Sequence, residues 1–178
     1  MAAFGDNSWP ALLGCGALIF VTVGSMMPFD RLIRRMDKFA AARPDLTFFA
    51  QIGTGTFEPC HMPFERIMGP RAFGDTISAA DLIVAHAGMG SVLSALEAGR
   101  PIVLVPRRAA EGEVTTDHQL ATARWLIGRP GVSVVLDDVD LPSAIEKAVL
   151  TRAISSGMPR TAPDDFVNRL RAAVIGRQ

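Results

Sequence analysis

Short apolar runs rich in β-branched residues alternate along the chain with stretches in which apolar residues recur at helical spacing. The runs predict buried strands, and the stretches between them predict amphipathic helices. The predicted strands are 18–23, 46–52, 82–85, 102–105 and 132–136, with a weaker extended piece at 66–68. The predicted helices are 28–42, 75–80, 90–98, 116–126 and 142–150. This alternation favours an α/β fold with a mostly parallel sheet and helices on both faces.

Glycines follow several predicted strands at the point where each strand ends. Gly24 and Ser25 follow the first strand, residues 53–55 follow the second, and His86 and Gly88 follow the third. The carboxyl ends of parallel strands meet along one edge of the sheet, where α/β proteins bind their ligands. Glycines there let backbone amides approach a ligand, and helix starts add unpaired N–H groups suited to a diphosphate. Any one of these glycines is also typical of an ordinary tight turn, so the prediction rests on their convergence.

Composition narrows the classes of function. The 178 residues are 49% hydrophobic and 20% charged, which suits one globular domain with a sizeable core. Eighteen basic and eighteen acidic residues cancel, so we expect no nucleic-acid partner, and any anion site must be local. Cys15 and Cys60 lack metal-ligand spacing, which indicates a reducing compartment, the cytoplasm, and no metal site. The apolar run at 11–23 is too short to span a bilayer.

The segment PRRAAEGE, after the fourth strand, carries the strongest polar signal. Arg107 and Arg108 stand at the expected ligand edge, although adjacent arginines are also common on solvated surfaces. Asp117, His118 and Gln119 follow at the start of the next predicted helix. Helix capping alone explains Asp117, whereas the imidazole and the amide beside it are groups that hydrogen-bond sugar hydroxyls.

Familiar nucleotide-binding motifs are incomplete or absent. Gly88 and Gly90 form a G-x-G that lacks the third glycine of the dinucleotide fingerprint, which disfavours a nicotinamide or flavin oxidoreductase. The sequence contains no G-x-x-x-x-G-K-[ST] phosphate loop. His86 is as compatible with a hydrogen-bonded structural role as with ligand binding. A non-catalytic nucleotide-binding regulatory module therefore stays open as an alternative to an enzyme.

Three stretches together resemble the C-terminal domain of glycosyltransferase family 28, the MurG-like family. They are IFVTVGS at 19–25, ADLIVAHAGMGSVLSALEAGRPIVLVP at 80–106 and DHQLATA at 117–123. Within the family, the chain looks most similar to bacterial exopolysaccharide glucuronosyltransferase subunits of the PssE type, in which a PRRA-x-x-GE segment precedes DHQLATA. The resemblance implies a Rossmann-like domain equivalent to the C-terminal half of a GT-B glycosyltransferase. The expected division of the chain is an N-terminal extension at 1–17, a nucleotide-sugar-binding domain at 18–154, and a linker with a C-terminal helix at 155–178.

The resemblance also implies which residues contact a UDP-sugar donor. Gly24 and Ser25 correspond to the loop that faces the donor diphosphate. The residues that correspond to the loop and helix start facing the nucleotide are His86, Gly88, Gly90 and Ser91. The residues that correspond to the donor-sugar segment are Asp117, His118 and Gln119. The stretch from Gly69 to Phe73 corresponds to the region near the uracil.

One position departs from the family pattern. Ser94 stands where much of the family has a glutamate that binds the ribose. Glu97 follows three residues later on nearly the same face of the predicted helix. Glu97 is therefore a candidate for the ribose contact, with a solvated helix residue as the alternative.

The implied activity is transfer of a sugar from a UDP-sugar to a lipid-linked saccharide acceptor in exopolysaccharide synthesis, with no metal or other cofactor. Arg107 and Arg108 favour UDP-glucuronate as the donor, because a guanidinium pairs with a carboxylate. UDP-N-acetylglucosamine is the alternative donor. His86 and His118 are the candidate catalytic bases in this chain, while the resemblance implies a base from a partner.

The resemblance further implies a second polypeptide. A membrane-anchored subunit of the PssD type would supply the other half of the enzyme and recruit this cytoplasmic chain to the inner face of the membrane. Phe166, Leu170, Ala173 and Val174 form an apolar stripe on a predicted helix at 164–176. That stripe is equally suited to packing on its own domain and to docking on the partner.

Overall fold

The computed structural model describes residues 16–151, which form one six-stranded sheet with helices on both faces. The strands are β1 (Leu18–Thr22), β2 (Thr47–Gln51), β3 (Phe64–Glu65), β4 (Leu82–His86), β5 (Ile102–Val105) and β6 (Val132–Val134). The helices are α1 (Asp30–Ala42), α2 (Pro70–Ala79), α3 (Met89–Glu97), α4 (His118–Leu126) and α5 (Leu141–Leu150). The predicted alternation of strands and helices is therefore confirmed.

All neighbouring strands pair in parallel, in the order β3-β2-β1-β4-β5-β6. The chain runs from β1 outward to β3 at one edge and then returns to place β4 beside β1. This order is that of a doubly wound Rossmann-like sheet, as predicted. Because the direction of winding reverses between β1 and β4, the loops after these two strands diverge and leave a crevice at their carboxyl ends.

Two apolar layers hold the sheet from its two faces. Ile19 of β1 belongs to the layer that contains Leu32 of α1 and Ile145 of α5. Phe20, the next residue, belongs to the opposite layer with Val92 of α3. Alternate residues of a strand point to opposite faces, and both are fully buried here because helices cover each face. The strand ends that carry the loops are therefore rigidly supported.

Helix α1 shows how its sequence determines which face is buried. Leu32, Ile33, Met36 and Phe39 recur at the spacing of one helical face, and all four are buried against the sheet. Burial of one such side chain stabilises the fold by roughly 1.5–3 kcal/mol. The helix ends at Ala42 and positions its amino end near the carboxyl ends of the strands.

Several predicted boundaries differ from the structure. Helix α2 is longer than the predicted 75–80, because Pro70 occupies its first turn, where a missing N–H costs nothing. The extended piece expected at 66–68 lies instead at Phe64–Glu65. The predicted strand 132–136 is shortened to Val132–Val134.

Two predictions fall on parts of the chain that are not described. Residues 1–15 of the predicted N-terminal extension, and the helix at 164–176 with its apolar stripe, lie outside residues 16–151. Within that range, none of the helices combines the length and the apolar content needed to cross a bilayer.

Candidate functional site

A cleft of about 490 Å³ opens at the carboxyl ends of β1 and β4. The predicted site residues that line it are Gly24, Ser25, Phe73, His86, Gly90, Ser91, Ser94 and Arg107. Lining residues outside the predicted site are Gln51 and Met68, among others, while Pro70 lies within the predicted stretch from Gly69 to Phe73. The cleft therefore gathers the loops after β1, β4 and β5 at the point where the sheet topology predicts a ligand site.

His86 ends β4 and lies between two glycines of neighbouring loops. A Cβ atom added at Gly24 would lie 2.6 Å from Cε1 of His86, and one added at Gly88 would lie 2.1 Å from Nε2. Both distances are too short for any other residue to fit without displacing the ring. Gly24 also has a φ of 74°, a conformation that favours glycine. The two glycines therefore create the space that the imidazole occupies.

The imidazole of His86 is uncharged at neutral pH. Burial, followed by the positive charge of Arg107, lowers the pKa of His86 to about 4, with the backbone of Thr22 acting in the opposite direction. Its Nδ1 atom is buried and has no hydrogen-bond partner. A neutral ring can donate or accept a hydrogen bond, but a group with so low a pKa is a weak proton acceptor at pH 7.

Arg107 is 3% exposed, and its guanidinium is held by the loop between β1 and α1. Nη2 donates to the carbonyl oxygens of Val23 at 2.8 Å and Met27 at 2.5 Å, and Nε donates to that of Pro28 at 3.3 Å. The guanidinium also lies 5.0 Å from the centre of the Phe29 ring. Burial lowers the pKa of Arg107, but an arginine keeps its charge in proteins. Arg107 thus places a fixed positive charge beside the cleft.

Two buried polar side chains that the sequence analysis missed hold the peptide groups of Gly24. Gln51 accepts from Thr22 Oγ1 at 2.6 Å and from the Gly24 N–H at 3.2 Å, while its Nε2 donates to the Gly24 carbonyl at 3.0 Å. Thr22 and Gln51 are the last residues of β1 and β2, at 0% and 4% exposure. The sequence does contain a signal for these two residues, since each is a polar residue at the end of an otherwise apolar strand. The Gly24 amide is therefore engaged within the chain.

Helix α3 begins at the cleft. Gly88 precedes the helix, and Gly90 and Ser91 of its first turn line the cleft. The first N–H groups of a helix lack intrahelical partners and carry partial positive charge. Among the described residues that line the cleft, none is a carboxylate. Together with Arg107, the helix start makes this a site suited to an anion.

The start of α2 supplies an apolar wall. Met68, Pro70 and Phe73 line the cleft, and Gly69 is the residue that precedes the helix. The Phe73 ring contacts Phe20 of the core edge to face, with centroids 5.7 Å apart. A ring anchored in this way offers a fixed surface for a flat apolar or aromatic group.

The structure separates Ser94 from Glu97, the candidate for the ribose contact. Ser94 lines the cleft, whereas Glu97 lines a neighbouring pocket of about 360 Å³ between α2 and α3, which Ser94 also borders. The side chain that reaches the cleft from this helix face is therefore the serine hydroxyl.

Arg108 is directed away from the cleft lining. Its Nη2 donates to the Leu136 carbonyl at 2.7 Å and to Asp138 Oδ1 at 3.4 Å, and its backbone N–H donates to Glu113 at 2.9 Å. The expectation that Arg107 and Arg108 are free to pair with a donor carboxylate is thus not supported, because both guanidinium groups bond within the chain. Sequence alone did not reveal these acceptors.

The predicted sugar-binding residues at the start of α4 also bond within the chain. Asp117 Oδ1 accepts from the Ala109 N–H at 2.9 Å instead of capping its own helix. Gln119 is buried and accepts from the Arg107 N–H at 3.2 Å. His118 is exposed, with Nδ1 3.0 Å from Thr116 Oγ1. None of the three belongs to the described residues that line the cleft.

A partly buried ion network explains how the segment after β5 is held. Arg31 of α1 bonds both oxygens of Glu113, at 2.8 and 2.9 Å, and donates to the Pro106 carbonyl at 3.0 Å. Arg31 also contacts Asp138. These partners lie far apart in sequence, which is why the sequence analysis missed them. Within residues 16–151, no group of three or more His, Cys, Asp and Glu side chains is arranged to hold a metal ion.

Comparisons of this chain with a family model and with individual proteins agree on one family. The model of the glycosyltransferase family 28 C-terminal domain matches residues 18–158. A UDP-N-acetylglucosamine--N-acetylmuramyl-(pentapeptide) pyrophosphoryl-undecaprenol N-acetylglucosamine transferase of Nitratidesulfovibrio vulgaris is 39% identical over 88 residues, 47% of this chain and 23% of that protein. The human UDP-N-acetylglucosamine transferase subunit ALG13 is 32% identical over 122 residues, 61% of this chain and 10% of that protein. The matches thus span under a quarter of the length of either relative.

Solved structures share the fold. MurG of Acinetobacter baumannii superposes with a TM-score of 0.54 at 20% identity, over 78% of this chain and 43% of that chain. The glycotransferase of kitacinnamycin gives a TM-score of 0.59 at 24% identity, over 85% of this chain and 38% of that chain. These structural neighbours are GT-B glycosyltransferases, and the sheet corresponds to part of each. Because the family model covers most of the sequence, the chain belongs to the glycosyltransferase family 28 C-terminal domain family.

Proposed function

We propose that the chain binds a UDP-sugar and forms the donor-binding part of a glycosyltransferase. The observation that carries this proposal is the cleft, where the amino end of α3 and the buried charge of Arg107 lie beside the apolar wall made by Met68, Pro70 and Phe73. An anion site next to an apolar wall matches a diphosphate joined to a uridine.

Each part of the cleft has a role in this proposal. The diphosphate binds at the start of α3, where Gly90 and Ser91 offer backbone N–H groups and neutral His86 offers a ring N–H. The uracil packs on Phe73, and the Ser94 hydroxyl lies within the region of the ribose. When the bond between the sugar and UDP breaks, negative charge develops on UDP. These fixed hydrogen-bond donors stabilise that charge without reorganisation.

The proposed donor is UDP-N-acetylglucosamine, the sugar nucleotide in the names of the bacterial and human relatives. UDP-glucuronate, with a role in exopolysaccharide synthesis, is the second candidate, supported by the similarity of the PRRA-x-x-GE segment to subunits of the PssE type. The argument from free guanidinium groups no longer supports it, since Arg107 and Arg108 bond within the chain.

The proposed acceptor is a lipid-linked saccharide, and the proposed partner is a membrane-anchored subunit of the PssD type. The bacterial relative is named for transfer to a pyrophosphoryl-undecaprenol compound, and the human relative is named as a subunit. The partner would bring the chain to the inner face of the membrane and supply the catalytic base. His86 is too weak a base at neutral pH, and His118 is exposed outside the cleft lining.

Calorimetry with UDP, UDP-N-acetylglucosamine, UDP-glucuronate and NAD tests the proposal directly. The sharpest variant is Gly90→Asp, which adds a carboxylate to the cleft at a position where a new Cβ meets nothing within 4 Å. Repulsion between like charges should weaken UDP binding on the order of 100-fold. Gly74→Asp is the matched control, because it makes the same change in equally open space on α2, outside this cleft.

Each outcome has a definite meaning. Binding of UDP compounds that Gly90→Asp weakens and Gly74→Asp spares supports the proposal, and the tighter of the two sugar nucleotides identifies the donor. Binding of NAD alone would instead favour an oxidoreductase. Binding of UDP-sugars without turnover in the presence of the partner subunit would favour a regulatory module.

A further inference from the structure

The loop between β1 and α1, residues 23–29, is anchored at two places. At its start, Gln51 bonds both the N–H and the carbonyl of Gly24. At its end, the carbonyl groups of Met27 and Pro28 bond to Arg107. Between these anchors Met26 is 84% exposed, so its side chain has little packing to hold it. The shape of this wall of the cleft therefore depends on one side chain from β2 and one from the end of β5.

The guanidinium of Arg107 suits this task for a geometric reason. Carbonyl oxygens of Val23, Met27 and Pro28 converge on it, and a planar group with five N–H donors can bond several acceptors in fixed directions. A lysine would bring the same charge as a single point, without the fork. These contacts join residues 79 to 84 positions apart in sequence. They tie the end of β5 to the loop after β1.

Arg107 is itself held in position by its surroundings. Its backbone N–H donates to the buried amide of Gln119, and its guanidinium lies over the Phe29 ring. The next residue, Arg108, donates its N–H to Glu113, which Arg31 of α1 also binds. The guanidinium is therefore held in place by the core, and the loop at 23–29 bonds to it.

The charge of Arg107 acts on the cleft as well. Arg107 and His86 are the ionisable residues among the described lining of the cleft, and Glu113 is the carboxylate whose charge acts on Arg107. Burial lowers the pKa of His86, and the positive charge of the nearby Arg107 guanidinium lowers it further, because two positive charges repel each other. One side chain thus shapes the wall of the cleft and adds to the effect of burial in keeping the His86 imidazole neutral.

We propose that Arg107 is a positioning residue of this site, which shapes the loop at 23–29 for a nucleotide diphosphate and does not pair with a carboxylate of the sugar. This proposal rests on the proposed function only in the part that is tested by nucleotide binding. The geometry of the free protein tests it separately.

The first experiment measures UDP affinity by calorimetry in Arg107→Lys, Arg107→Met and Arg108→Met. Arg107→Lys keeps the charge and loses the fork, so it should weaken UDP binding about tenfold or more, the usual worth of hydrogen bonds to a charged group. Arg107→Met should weaken binding further, because it removes the charge as well. Arg108→Met also removes one positive charge, but the Arg108 guanidinium bonds Leu136 and Asp138 instead of the loop at 23–29. UDP affinity should therefore change by no more than about twofold.

The second experiment uses the free protein and no nucleotide. NMR titration of the three histidines reports the charge on His86, and the amide signals of residues 24–29 report the loop. Arg107→Met should raise the pKa of His86, whereas Arg107→Lys should leave it low. Both variants should shift the loop amides more than Arg108→Met does. A side chain that only stabilised the fold would shift the loop amides no more than Arg108→Met does, whereas the His86 titration reports the charge at position 107 alone.

The outcomes separate this inference from the proposed function. If the parent chain binds no UDP compound, the proposed function fails, and the amide signals of residues 24–29 in the free protein decide the role of Arg107. If Arg107→Lys binds UDP as the parent does, or if Arg108→Met is as damaging as Arg107→Met, the positioning role is wrong. Circular dichroism of each variant identifies unfolding, in which case Arg107→Lys, the milder change, carries the comparison.

Discussion

Two segments at the same edge of the sheet use their polar residues in opposite ways. The loop after β4, residues 87–88, joins His86 at the end of the strand to the start of α3, and both His86 and this helix start line the cleft. The segment after β5, residues 106–117, has more charged groups, yet Arg108, Glu113 and Asp117 all bond within the chain. Placement at the carboxyl end of a strand therefore does not by itself make a charged side chain a ligand contact.

The difference follows from the length of each connection. The loop after β4 passes from strand to helix within a few residues, so its backbone has few unpaired groups of its own. The segment after β5 is longer and, apart from a 3₁₀ turn at Ala109–Glu111, lies outside helix and strand, so several of its backbone groups take side-chain partners. Its charged residues satisfy those backbone groups first. The predictions below test this contrast, starting with the largest expected effect.

Loss of Arg31 should destabilise the protein most. Arg31→Met removes the guanidinium that pairs with both Glu113 and Asp138, whose side chains are each only 10% exposed, while Arg35 and Arg108 stay near Asp138. Removing one member of a buried ion network costs about 3 kcal/mol of unfolding free energy. Urea unfolding measures this loss. Arg43→Met is the control, because its pairs with Asp45 and Glu146 are solvated, and its loss should be much smaller. Equal losses would show that the segment after β5 is not held by this network.

A methyl group at position 88 should disrupt the loop after β4. Gly88→Ala places a Cβ 2.1 Å from Nε2 of His86, and the φ of −94° is allowed for alanine, so crowding is the only cause of damage. Overpacking of this kind costs about 1–3 kcal/mol, and the displaced ring should weaken UDP binding. Gly74→Ala on α2 meets nothing within 4 Å and should be neutral or stabilising. If the two variants unfold at the same urea concentration, His86 does not fill the space between the glycines.

The buried imidazole should make stability depend on pH. His86 has a pKa of about 4 in the folded chain and an ordinary value of 6.5. The unfolded chain therefore binds the proton first, and stability falls as pH falls below 6.5, by about 2 kcal/mol between pH 7 and pH 5. His86→Gln should remove this part of the slope, and His118→Gln, at an exposed histidine, should keep it. A parent slope that survives in His86→Gln would contradict the neutral, buried ring.

The smallest effect is expected at Asp117. Asp117→Ala removes the acceptor for the Ala109 N–H, which costs about 1 kcal/mol at a solvated site. Asp117→Asn keeps an acceptor oxygen and should restore most of the stability. Thermal unfolding of the three proteins measures the difference. No recovery in Asp117→Asn would indicate that the carboxylate charge, and not this hydrogen bond, matters.

The arrangement of the fold follows from patterns within short stretches of sequence. Apolar runs predict the strands, and Leu32, Ile33 and Met36 predict the buried face of α1, because both patterns are local. The start of α2 escaped prediction, since Met68, Pro70 and Phe73 fit no single period. The glycines at positions 24 and 88 were found because the topology of a parallel sheet places them at one edge.

The direction of a side chain depends on distant partners. The guanidinium of Arg107 was predicted to bind a ligand, but it donates hydrogen bonds to carbonyl groups about 80 residues earlier in the sequence. Gln51 was overlooked because its partners, Thr22 and Gly24, belong to another strand and loop. Such contacts exist only after the sheet has formed, so no local sequence pattern predicts them.

The depth of Arg107 has a consequence for how ions in solution affect the cleft. Dissolved salt screens charges on the surface within about 10 Å at 0.1 M, but it screens a buried charge much less. The chain as a whole carries a formal net charge of 0, so it exerts no long-range pull on an approaching anion. A buried cation in a neutral protein discriminates between ligands at contact, and moderate changes in ionic strength leave that discrimination largely intact.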